Sequence, residues 1–123
     1  MAIPDYQSLM LPTLRVAAKG ETSVPAAANT IADRLGLDEA DREEMLPSGR
    51  MKTLNNRIHW AKTYMEKAGL LSRPRRGVFV ATDAGRALLA RNPQRIDIPL
   101  LNQYPEFVEF YQRSTGKSAA TQE

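Results

Sequence analysis

No cysteine occurs in the 123 residues, so disulfides and thiolate metal sites are excluded and no oxidising compartment is needed to explain folding. A single histidine, His59, is present. That rules out an imidazole ligand set and leaves no serine with both a plausible base and an orienting partner. No run approaches the roughly 18 continuous apolar residues of a membrane span. The start, MAIPDYQSLM, lacks the basic opening and apolar core of a signal peptide. A soluble, cytoplasmic protein without membrane contact is the expectation. Aromatic residues are scarce, at 7%, while alanine is common, which favours helices over a sandwich or barrel because strands draw on β-branched and aromatic side chains. The length suits one domain with a core of its own.

What the chain does have is an uneven charge distribution. From Arg50 to Arg95 eleven Lys and Arg residues face two acids, Glu66 and Asp83, whereas the residues before Arg50 hold four basic groups against eight acidic ones. The net charge of +3 is thus made of segments carrying −4, +9 and −2. Cations concentrated in one segment of a small domain make a one-signed surface, and the commonest partner for such a surface is a nucleic-acid backbone.

The apolar spacing and the punctuation predict a series of short elements. Tyr6, Leu9, Met10, Leu14 and Ala17 suggest a helix from about Asp5 to Lys19, with Pro12 an awkward interior residue. Ser23 and Pro25 start a second helix, which Gly36 stops. Asp38 caps a short acidic helix ended by Pro47-Ser48-Gly49. From about Met51 to Ala68, Leu54, Ile58, Ala61, Met65 and Ala68 recur at steps of four and three, a clean amphipathic helix closed by Gly69. Its opposite face collects Lys52, Asn56, His59 and Thr63, flanked by Asn55 and Lys62 on one side and Trp60 and Arg57 on the other. Strand-like runs at 70–73 and 78–81, separated by the turn Pro74-Arg75-Arg76-Gly77, read as a hairpin. Thr82 and Asp83 cap a further helix over 84–90. Three regions follow: residues 1–95 as the core domain, 96–113 as an extension with a proline-bounded extended stretch and a short helix from about Pro105, and 114–123 as a disordered polar tail.

Helices on short turns, a clean helix with a polar outer face, and an Arg-tipped hairpin follow the order of a winged helix-turn-helix, mainly α with a small β-hairpin. The chemistry of duplex recognition needs such groups: Asn pairs bidentately with adenine, Arg and Lys with guanine, and wing cations lie on phosphates or in the minor groove. Lys52, Asn55, Asn56, Arg57, His59, Lys62 and Thr63 on the helix, with Arg73, Arg75 and Arg76 on the hairpin, are therefore the candidate DNA contacts. Duller alternatives stand beside each. Any one of Lys52, Lys62 or Lys67 could be an ordinary solvated cation. Trp60 reads as a packing residue rather than a base platform, and one of Asn55 and Asn56 could cap the helix instead of reading a base. There is no Gly-rich phosphate loop, no metal-ligand cluster and no nuclease set of strand-borne acids and lysine, so no catalytic residue, metal or cofactor is expected.

With these elements in place the chain resembles the amino-terminal domain of the Mrr restriction proteins. The likeness is carried by PDYQSLMLPTLRVAA, by ADRLGLDEADREEMLPSGR, and by NNRIHWAKTYMEKAGLLSRPRRGVFVATDAGRALLARNPQ. The resemblance implies a winged-helix module that, in the full enzymes, precedes a nuclease domain and directs cleavage of modified, typically methylated, DNA. It implies DNA binding through the helix from Met51 and the wing at Arg75 and Arg76, and it carries over no catalytic residue. Double-stranded DNA, modified or not, and a nuclease domain in a longer protein are the partners it implies. The competing readings are a protein-interaction module that self-associates through the helix near Phe107 and Phe110, and a small dimeric transcriptional repressor.

Overall fold

The computed structural model describes residues 3–117, and their side chains as far as Arg113. Its elements in chain order are α1 (Met10–Ala18), α2 (Val24–Leu35), α3 (Glu39–Glu43), α4 (Thr53–Lys67), β1 (Leu71–Arg75), β2 (Val78–Ala81), α5 (Asp83–Ala90), α6 (Ile98–Leu101) and α7 (Pro105–Lys117). The described residues are mainly helical with one two-stranded antiparallel hairpin, the arrangement of a winged helix-turn-helix.

Local chemistry explains most boundaries. α1 starts later than the spacing suggested. Residues 6–9 form turns in which the Ser8 amide donates to Asp5 Oδ1 at 2.7 Å. Pro12 is thereby the third residue of α1, within the first turn, where no intrahelical amide bond is required. Ser23 caps α2, accepting from the Ala26 amide at 3.3 Å, and Gly36 ends it at φ +69° in the left-handed region. The acidic helix is only five residues long, capped by Asp38 and tied to α2 by Arg42, which donates to the Leu37 carbonyl and to Asp33 Oδ1, both at 2.9 Å. A loop closed by an antiparallel bridge between Met45 and Lys52 leads into α4.

α4 is the central element and packs against α1, α2, β1 and α7. Its apolar stripe is buried as the spacing predicts: Leu54, Ile58, Ala61 and Met65 are essentially inaccessible. Burying a side chain of the size of Ile58 or Met65 stabilises by about 1.5–3 kcal/mol each relative to exposure. The same core holds Leu9 just before α1, Leu14 of α1, Ile31 of α2, Phe79 of β2 and Leu88 of α5. Gly85 lets α5 approach closely. A Cβ there would fall on the Leu70 carbonyl oxygen and stand 3.1 Å from Leu14 Cδ1.

The hairpin differs in detail from the sequence reading. β1 runs on through Pro74 to Arg75, which pairs with Val78, so the turn is only Arg76-Gly77, with Gly77 at φ +76°. Pro74 is tolerated because it sits in an irregular stretch of the register between Ser72 and Arg75, where the ladder does not need its missing amide. On its other edge β2 is bridged by Thr22, whose amide and carbonyl both bond to Phe79 at 2.9 Å. This third strand segment anchors the root of the hairpin to the start of α2.

The extension after residue 95 is packed on the rest. What was expected to be extended chain around Ile98 is the short helix α6, capped by Asp97, which accepts from the Leu100 amide at 3.1 Å. Ile96, Leu101 and Phe107 are fully buried in the common core. Tyr64 on the back of α4 makes ring contacts with Tyr6, Phe107, Phe110 and Tyr111 at centroid distances of 5.3–6.3 Å. α7 also continues from Ser114 to Lys117 into the stretch expected to be a disordered tail. The remainder of that stretch, 118–123, lies outside the described residues.

Candidate nucleic-acid interface

The α4 face turned away from the core is polar over most of its length, because the step-of-four-and-three stripe takes only the inner side. His59, at the middle of that face, opens onto a cleft of about 330 Å³ between α4, the first turn of α2 and the hairpin. Its walls carry His59, Lys62, Arg73 and Arg76 above an apolar floor that includes Val24 and Phe79. A second groove, of about 250 Å³, lies between α2 and the start of α4 and is lined by Asn29, Lys52 and Asn55 among others. Pro25 lines both openings. The two are therefore neighbours, and Lys52, Asn55, His59, Lys62, Arg73 and Arg76 border one continuous side of the molecule.

Several candidate residues are placed differently from the sequence reading. Lys52 is not on the helix but at its N-cap, with Nζ 3.5 Å from Glu43 Oε2. Neither Asn55 nor Asn56 caps α4. No side chain caps the helix, and its first amide, that of Thr53, donates instead to the Glu44 carbonyl at 2.9 Å. Asn56 instead directs its amide at Met51 Sδ, 3.8 Å away. Arg57 faces the opposite side from the hairpin and donates to the Ile3 and Pro4 carbonyls at 2.8 and 3.2 Å, holding the amino-terminal segment against α4. Thr63 is half-buried on the outer face. Trp60, expected as a packing residue, is 37% exposed, touching His59 and Tyr64 edge-on.

The cations are partly answered from within the chain. Lys62 is only 8% exposed and ion-paired with Glu66 at 3.4 Å, and its Nζ stands 6.0 Å from the Phe79 ring centroid. Glu66 also reaches Arg73, at 3.5 Å. Arg75 meets Glu21 at 2.8 Å. Arg76 is exposed and makes no ion pair with any described residue. The pairs of Arg73, Arg75 and Lys52 involve at least one well exposed partner, so each contributes about 0–1 kcal/mol and a phosphate can displace it. The Lys62–Glu66 pair is sheltered and is part of the fold. Sequence reasoning missed Glu66 as a shared counter-ion, and missed Glu21, Asn29 and the first turn of α2 as parts of the surface.

Burial and the adjacent Lys62 charge hold the His59 imidazole below its ordinary value, with Glu66 acting in the other direction. Among the described residues no three His, Cys, Asp or Glu side chains are grouped so as to hold a metal ion, and no helix is long and apolar enough to cross a membrane.

Residues 6–91 match the model of the Mrr N-terminal domain. The chain belongs to that family. A type IV methyl-directed restriction enzyme of Escherichia coli (strain K12), EcoKMrr, is 36% identical over 99 residues, which cover 76% of this chain and 31% of the relative. This Mrr N-terminal domain thus spans about a third of the length of the curated relative it matches. No solved structure matches it. The matched residues contain every side chain of the two grooves.

Proposed function

We propose that this domain binds double-stranded DNA through α4 and the Arg-tipped hairpin, and that it is the targeting module of a methylation-dependent restriction system with no catalytic activity of its own. The observation that carries the reading is the convergence of Lys62, Arg73 and Arg76 with His59 on one cleft beside the outer face of α4, next to the groove holding Lys52 and Asn55. α4 enters the major groove, where Asn55 and Asn56 of its first turns reach base edges, and the wing crosses phosphates toward the adjacent minor groove. The match to one third of a restriction enzyme supports a further, nuclease-bearing domain in a longer cytoplasmic protein, and the relative's methyl-directed action supports modified duplex as the target. Trp60 offers an exposed indole beside His59 for apolar contact with a base methyl group.

Fluorescence anisotropy on methylated and unmethylated duplexes over a salt series tests this. Binding weakens steeply with salt, and Arg76→Ala lowers the slope of log K against log salt by about 0.9. Arg57→Ala changes stability and leaves the slope unchanged. Equal slopes for wild type and Arg76→Ala, or a lower slope for Arg57→Ala, would sink the docking. The competing self-association reading has less support, because α7 lays Phe107 onto α4 within the same chain.

A further inference from the structure

We infer that the cleft between α4 and the hairpin seats a single backbone phosphate of the duplex, and that His59 takes up a proton as this phosphate docks. The inference rests on the DNA-binding reading above. A helix in the major groove and a wing directed to the neighbouring minor groove leave one strand between them, because the two grooves share that strand as their common wall. The cleft of about 330 Å³ is the opening at this place, so the sugar–phosphate chain must cross it.

Its chemistry suits a monoanion. Among the described residues the charged and titratable groups around His59 are Lys62 and Glu66 on α4, Arg73 on β1 and Arg76 in the turn, while Val24 and Pro25 of α2 bring none. Three cations against one carboxylate leave a net positive site, and that carboxylate is already engaged by Lys62 and Arg73 at 3.4 and 3.5 Å. In the free domain burial and Lys62 hold the imidazole pKa below its ordinary value and so favour the neutral ring, which has one N–H to donate. A phosphodiester accepts hydrogen bonds and carries negative charge, so its arrival reverses the local field and favours the imidazolium, which donates from both nitrogens. Proton uptake and DNA binding are then linked, and acidification strengthens binding by up to about tenfold per pH unit while the site titrates.

His59 is the only histidine of the chain, so its ring signals in NMR spectra of untagged protein report on this site without assignment ambiguity. Titrations of the free domain and of its complex with a short duplex are to be compared, alongside calorimetry of duplex binding in two buffers of different ionisation heat. The expected result is a midpoint that moves upward on adding duplex, with wild type taking up a fraction of a proton and His59→Gln binding more weakly without uptake. Duplex binding with an unmoved midpoint, or with equal uptake by both proteins, overturns the phosphate seat and leaves DNA binding by other parts of the surface standing. Failure of wild type to bind any duplex overturns both.

Discussion

Glu66→Gln should make the domain less stable and a better DNA binder at once. The Glu66 and Lys62 side chains are 15% and 10% exposed with their charged atoms 3.4 Å apart, whereas Arg73, the other partner of Glu66, is 63% exposed. Removing one partner of a fully buried pair costs about 3–5 kcal/mol, because a charge is left without its counter-ion. Here the site is at the edge of the core and the amide still offers an oxygen to Lys62, so about 2 kcal/mol is the reasoned value. For a domain of this size that corresponds to roughly 6–10 °C in melting temperature. On the proposed docking, the same change frees Arg73 for a phosphate and removes the carboxylate that pairs with two of the cleft's cations, so the salt slope should steepen by about 0.9 and affinity should rise several-fold at low salt. Thermal denaturation followed by circular dichroism and duplex binding by anisotropy read the two effects separately. Replacing both Lys62 and Glu66 by Met should recover most of the lost stability, since a buried pair exchanged for apolar residues is often close to neutral. A melting temperature unchanged within about 2 °C, or a weaker complex, would refute the view that Glu66 holds cations back from DNA.

Phe107→Ala, which empties a fully buried site between α7 and α4, should cost about 3–5 kcal/mol in urea denaturation. Thr13 is buried with its hydroxyl unbonded among the described residues, so the near-isosteric Thr13→Val should stabilise by about 1 kcal/mol, read as a higher melting temperature. Because His59 titrates below its ordinary value of 6.5 in the folded chain, the unfolded chain binds the proton first on acidification. Stability should hold above about pH 6.5 and decline below it, and His59→Gln should flatten that part of the profile. The capping carboxylates of Asp5 and Asp38, lowered mainly by their bonds to the Ser8 and Asp41 amides, add a second decline as the pH falls below 3.8.

The elements that could be read from the sequence are those whose determinants are local. α2 has its Ser23 cap and Gly36 stop, α4 has its apolar stripe, and the hairpin has its glycine, so all three were legible. Asp97 followed by Ile98-Pro99 is equally a helix start, with an N-cap and a proline in the first turn, yet four residues are too few for periodicity to show. The Thr22–Phe79 bridge joins residues far apart in the chain and leaves no local trace. The site divides in the same way. That His59 and Lys62 lie on the outer side of α4 was readable from helix phase, whereas the placing of Arg73 and Arg76 on the same cleft depends on how the hairpin folds back against α4. That Arg57 turns to the Ile3 carbonyl and Arg75 to Glu21 depends on tertiary placement, which a helical wheel cannot supply. α4 also begins two residues later than the spacing suggested, because Lys52 is held in an extended conformation by its bridge to Met45, a contact distant enough in the chain to leave no helical signature.

Tyr64 gives α4 a foundation laid by residues that arrive some forty positions later. A protein trimmed at residue 91, where the family match stops, would lose Ile96, Leu101 and Phe107 from the shared interior and uncover the phenol ring behind α4. The smallest piece that keeps α4 supported therefore extends beyond the family boundary into α7.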